Sequence, residues 1–96
     1  MRPSEAVARH REALLDTAHR YGVRNVRLFG SAARGEDHDG SDLDLLIDVP
    51  RGTTYFTLAR LKREIEALTG IACDLHTPSG LKDSIREPIL RGAVPL

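Results

Sequence analysis

The residues able to do chemistry in this chain are Gly30-Ser31-Ala32-Ala33-Arg34-Gly35 and, after a short acidic loop, Ser41-Asp42-Leu43-Asp44-Leu45. A glycine–serine turn at the start of a helical turn leaves backbone N–H groups unpaired, and these can hold phosphate oxygens. Gly30 lets a phosphate approach closely, and the Ser31 hydroxyl adds a donor. No Gly-Lys-Ser/Thr follows, so this is not a Walker A loop. Two aspartates at spacing two on a strand point the same way, while Leu43 and Leu45 face the opposite layer. Such like charges repel unless a cation stands between them. An all-oxygen pair suits Mg²⁺, which completes its shell with water and substrate phosphates. Alone, the first motif reads as an ordinary turn and the second as a solvated strand edge. Together they imply metal-dependent chemistry on a nucleoside triphosphate.

A third acid, Asp74, lies between the apolar Cys73 and Leu75. A carboxylate inside an apolar strand is costly to bury without a partner. If its strand neighbours the one bearing Asp42 and Asp44, all three acids can share a face; otherwise Asp74 is an edge acid facing water. Arg34 has two readings: it neutralises a phosphate, or it pairs with an acid such as Asp42 and fixes the loop. Glu36, Asp37 and Asp39 read as solvated loop acids, and His38 as exposed. Cys73 reads as a packed small hydrophobe rather than a nucleophile. Tyr21 and Tyr55 read as core or rim residues. The segment 50–58 is where base recognition would come from.

The elements that must position these residues follow from periodicity. Residues 4–21 predict a helix with Ser4 as N-cap, a stripe of Val7, His10, Leu14, Leu15, Ala18 and Tyr21, and a stop at Gly22. Residues 24–29 predict a strand ended by Gly30, and residues 31–34 a short helical turn. Residues 42–49 predict a second strand, stopped by Pro50. Residues 55–68 predict a second long helix with Leu58, Leu61, Ile65 and Leu68 on one face. Residues 71–76 predict a third strand, and residues 81–91 a helix that Pro88 interrupts or restarts. A helix joining the second and third strands makes those two parallel with a right-handed crossover. Bringing Gly30 and Asp42 to one edge makes the first two antiparallel. The expected class is α+β (mixed α/β): a small mixed sheet packed by helices.

With 96 residues the chain suffices for one small domain, residues 1–96. Its 14 basic and 14 acidic side chains cancel, which argues against bulk attraction to nucleic acid or to a membrane surface. Only two Tyr and two Phe are present, few for stacking on nucleic-acid bases. A single cysteine excludes an internal disulfide and fits a reducing compartment. No apolar run reaches membrane-helix length and no signal peptide opens the chain, so a cytoplasmic protein is expected. Little chain remains to build a pocket for an acceptor, so the acceptor is small or a partner brings it.

The pattern Gly-Ser-x-Ala-Arg-Gly, then Ser-Asp-x-Asp-Leu, then a later strand Asp, resembles the polymerase-beta-type nucleotidyltransferase superfamily. The short length and the ending Ile89-Leu90-Arg91 with Ala93-Val94-Pro95-Leu96 are similar to its minimal nucleotidyltransferase branch. The resemblance covers about residues 5–96. Those proteins commonly act as antitoxins paired with a HEPN-domain ribonuclease toxin. The resemblance implies that Gly30 and Ser31 hold the triphosphate of ATP and that Asp42 and Asp44 coordinate Mg²⁺. It implies that Asp74 completes a second metal site and helps deprotonate the acceptor hydroxyl. The expected activity is transfer of AMP from ATP to a tyrosine of the partner toxin. Two other readings stay open: an antitoxin that blocks the toxin by binding alone, and a small-molecule nucleotidyltransferase of the aminoglycoside type.

Overall fold

The computed structural model describes residues 1–96. Helix α1 spans Pro3–Arg20. Proline is well placed at the first helical position, where its missing N–H is not needed. The cap is Arg2 rather than the expected Ser4: the Glu5 carboxylate accepts from the Arg2 N–H at 3.0 Å. Ser4 lies one residue inside the helix, where its N–H and hydroxyl donate to Asp37. Val7, Leu14 and Ala18 of the predicted stripe are buried. His10 departs from helical geometry (φ −110°, ψ 19°) and marks a kink.

Strands β1 (Arg24–Phe29) and β2 (Leu43–Asp48) pair antiparallel, with Leu28 opposite Leu45 and Phe29 opposite Asp44. Helix α2 (Tyr55–Thr69) opens on Thr54, whose hydroxyl accepts from the Thr57 N–H at 3.3 Å. It ends on Gly70 in the left-handed region, where a side chain would be strained. The chain then enters β3 (Cys73–His76), parallel to β2 as the crossover argument required. A 3-10 turn at Pro78–Gly80 leads to α3 (Asp83–Gly92) and to β4 (Val94–Pro95), which pairs antiparallel with β1. The sheet order is β3-β2-β1-β4.

One face of this sheet is the core. Val26, Leu28, Leu43, Leu45, Ile47 and Cys73 pack there with Leu14 and Ala18 of α1 and Leu61 and Ile65 of α2. Leu45 is wholly buried, so Leu45→Ala should cost about 2–5 kcal/mol. The opposite face carries Phe29, Asp44, Asp74 and His76 and holds the polar chemistry.

Several boundaries differ from expectation, and three of the starts bear on the site. β2 starts at Leu43, not Asp42, because pairing with the β3 side begins where the Leu43 N–H meets the Ala72 carbonyl at 2.8 Å. β3 is four residues long and begins at Cys73. α3 starts at Asp83 and runs through Pro88 instead of breaking there. β4 was not anticipated, since two residues cannot show an alternation. No helix is long and apolar enough to cross a membrane.

Candidate active site

The site forms where β1 ends and β2 and β3 begin. Gly30 follows the last residue of β1 with φ +77°, and a Cβ there would stand 2.6 Å from Asp44 Oδ2. Glycine is therefore required twice, for its backbone angle and for the contact with the acid. The turn after it closes on itself: the Ser31 carbonyl accepts from Arg34 N–H at 3.2 Å and from Glu36 N–H at 2.9 Å. The Arg34 guanidinium pairs with Glu36 at 3.1 Å, not with Asp42, and both side chains are largely exposed. Such a pair contributes little to stability and leaves Arg34 able to exchange partners.

Register brings the acids together. Asp44 stands opposite Phe29 on one side and Asp74 on the other. The ligand atoms of Asp44, Asp74 and His76 all lie within 4.8 Å of one another. Asp42 is exposed just ahead of β2 and is not in this trio, although its charge reaches Asp44. Burial raises the Asp44 pKa above the ordinary carboxylate value. His76 opposes that rise, while Asp74 and Asp42 add to it. His76 Nε2 is 3.9 Å from Asp44 Oδ1, and its ring meets Phe29 edge-on with centroids 5.2 Å apart. Lys62 of α2 reaches round the sheet edge to within 3.8 Å of Asp74 Oδ1.

Besides a cavity of about 500 Å³ against Phe29 and His76, two cavities flank the trio. One of about 340 Å³ lies beside the turn, walled by Phe29, Gly30, Ala33, Arg34, Pro88, Ile89 and Gly92. The other, of about 320 Å³, lies beside Asp74 and is lined by Tyr55, Leu58, Ala59, Lys62 and Leu75. An acidic centre between a glycine turn and a second cavity can hold a cation, an anionic substrate and an acceptor at once.

The other expectations divide. Cys73 is buried, and burial pushes its thiol up to about 12, which rules out a ready thiolate. His38 is exposed. Tyr21 is half-buried and donates to Glu64. Tyr55 is not core: it is 83% exposed, beside Phe56 at 80%, and lies on the rim of the cavity next to Asp74. Asp37 is not a solvated loop acid, because only 5% of it is exposed and it takes both donors of Ser4, at 2.7 and 3.1 Å. The sequence reading also passed over His76, whose signal was its spacing of two from Asp74 on one strand face.

Comparison with known proteins agrees with this geometry. The model of the nucleotidyltransferase domain family matches residues 8–95. The protein adenylyltransferase MntA of Thermococcus cleftensis is 39% identical over 75 residues, covering 78% of this chain and 76% of its own length. A solved chain described as a candidate minimal nucleotidyltransferase superposes with a TM-score of 0.86 at 44% identity, over 97% of this chain and 95% of that one. A toxin–antitoxin structure with AMP-PNP shares the fold, with a TM-score of 0.76 at 14% identity, over 88% of this chain and 69% of that one. The chain has the polymerase-beta-type nucleotidyltransferase fold and belongs to the nucleotidyltransferase domain family, in its minimal branch.

Proposed function

We propose that this chain is a protein adenylyltransferase that moves AMP from ATP onto a tyrosine hydroxyl of a partner HEPN ribonuclease toxin, and so neutralises it. The observation that carries this reading is the meeting of Gly30, Asp44 and Asp74 at one end of the sheet, in a chain whose relative MntA is a protein adenylyltransferase. The fold is also shared with the antitoxin-containing structure above.

Gly30 and Ser31 receive the triphosphate on backbone N–H groups and the serine hydroxyl. Asp42 and Asp44 offer oxygen ligands at one end, and Asp74 closes the set across β3. This all-oxygen part of the donor set fits Mg²⁺, which would neutralise phosphate charge and favour ionisation of the acceptor hydroxyl. Asp74 is about half exposed, open to an incoming acceptor, and takes the hydroxyl proton. The acceptor oxygen bonds to the α-phosphorus, the α–β bridge breaks, and pyrophosphate leaves past Gly30. Arg34, held only by Glu36, is free to turn to the departing phosphates. AMP on the toxin adds bulk and negative charge that repel RNA.

The test is intact-mass measurement of the partner toxin after incubation with this protein, ATP and Mg²⁺. Wild type should add one or more AMP-sized increments. Asp42→Asn with Asp44→Asn should add none while still binding the toxin, because neither side chain is in the core. Full neutralisation of the toxin by that double variant, without any mass change, would leave simple occlusion as the function.

A further inference from the structure

We propose that His76 joins Asp44 and Asp74 as a nitrogen ligand of the cation at this site, and that it biases the site toward imidazole-binding first-row cations such as Mn²⁺ over Mg²⁺. The inference rests on the preceding reading, in which these acids hold a cation.

Three observations carry it. First, His76 stands two residues after Asp74 on β3, so both side chains leave the same sheet face. Second, the distances suit a shared ion. Two ligand atoms each about 2.0–2.2 Å from one ion stand at most about 4.4 Å apart. His76 Nε2 and Asp44 Oδ1 are already at 3.9 Å, inside that limit, and the whole trio lies within 4.8 Å, so side-chain shifts of about an ångström bring all three onto adjacent positions of one ion. Third, the imidazole is oriented rather than free: the Phe29 ring packs edge-on against it at 5.2 Å and 74°, holding it over Asp44.

The alternative role of His76 is a protonated partner that balances Asp44. The 3.9 Å separation is beyond hydrogen-bond length, and an ion pair at that range between half-exposed groups is weak. The same gap is well suited to an intervening ion. Carboxylates alone favour Mg²⁺, whereas adding an imidazole to them favours transition cations. Lys62, 3.8 Å from Asp74, must swing away as the cation enters, and its exposed side chain allows that.

Pulsed electron paramagnetic resonance on the intact protein loaded with Mn²⁺ and a non-hydrolysable ATP analogue reads the ligands directly. Wild type should show coupling of Mn²⁺ to an imidazole ¹⁴N. His76→Gln should lose that coupling, and its preference for Mn²⁺ over Mg²⁺ in competition should fall about tenfold or more. His76→Asn serves as a second variant, and His38→Gln should keep the coupling. Mn²⁺ bound to wild type through oxygen alone overturns the inference while leaving the acidic site standing. Failure of wild type to bind Mn²⁺ under these conditions overturns both. An unchanged Mn²⁺-to-Mg²⁺ preference in folded His76→Gln also overturns it, and leaves His76 as a charge partner of Asp44.

Discussion

Asp37, which is buried, and Asp44, which is half-buried, are aspartates seven positions apart, yet their surroundings treat them in opposite ways. Asp37 sits over the start of α1, where the Ser4 N–H and hydroxyl both donate to it. Those donors, the backbone one foremost, hold its carboxyl below the usual range, and Arg2 adds to the effect. A carboxylate at a helix N-terminus is also favoured by the helix dipole. Asp44 has no such donors. It lies in a strand between Phe29 and Asp74, and burial with nearby acids pushes its pKa up. An acid supplied with donors is a clamp; an acid crowded by acids is a candidate cation ligand. On the proposed function, the difference separates the part of the molecule that stabilises the fold from the part that serves the chemistry.

The largest expected effect comes from removing the strained acid. Asp44→Asn should lower AMP transfer by about a thousandfold or more, the scale of losing a charged group from a preorganised site. It should leave the melting temperature unchanged or raised, since a crowded, half-buried charge is gone. Steady-state transfer assays and thermal melts check both halves, and a large fall in melting temperature would show that Asp44 serves the fold instead.

Gly30→Ala couples the turn to that acid. The left-handed backbone angle should cost about 1–2 kcal/mol, and the new Cβ must displace Asp44 Oδ2 from 2.6 Å. Transfer should fall much further than stability, because the displaced carboxylate is the proposed cation ligand. Urea unfolding beside the transfer assay separates the two.

Asp37→Asn should do the reverse: a lower melting temperature, with transfer per folded molecule unchanged. The sign with pH is fixed by the lowered native pKa of Asp37. Its contribution is complete above the ordinary carboxylate pKa and disappears as pH falls through the lower native value. Wild type should therefore lose its advantage over Asp37→Asn in acid, and melts from neutral pH downward would show the two curves converging. A gap that widens in acid would contradict the assignment.

Ser31→Ala is the smallest of these changes. Losing one hydrogen bond to a charged phosphate should weaken nucleotide binding by about 1.5 kcal/mol, roughly tenfold. Unaltered affinity would make Ser31 only a former of the turn.

What the sequence disclosed, and what it hid, follows the same division. Gly30, Ser31, Asp42 and Asp44 lie close together in sequence, so a strand period and a turn rule suffice to draw them toward one place. Asp74 followed because a helix between two strands makes them parallel, which the pairing of Asp44 with Asp74 bears out. Asp37 was misread because its partner, Ser4, is 33 residues away and no local rule connects them. His76 was passed over because only the register against β2 brings its ring to Asp44. β4 was invisible because Val94 and Pro95 gain their strand character solely from β1. Long-range partners decided each miss.

The central claim is that Asp44 and not Asp37 holds the metal–nucleotide complex. Calorimetric titration of a non-hydrolysable ATP analogue with Mg²⁺ into wild type, Asp37→Asn and Asp44→Asn, all below their melting temperatures, tests it most directly. Wild type and Asp37→Asn should bind alike while Asp44→Asn shows no Mg²⁺-dependent heat. Equal binding by Asp44→Asn and wild type would contradict the account.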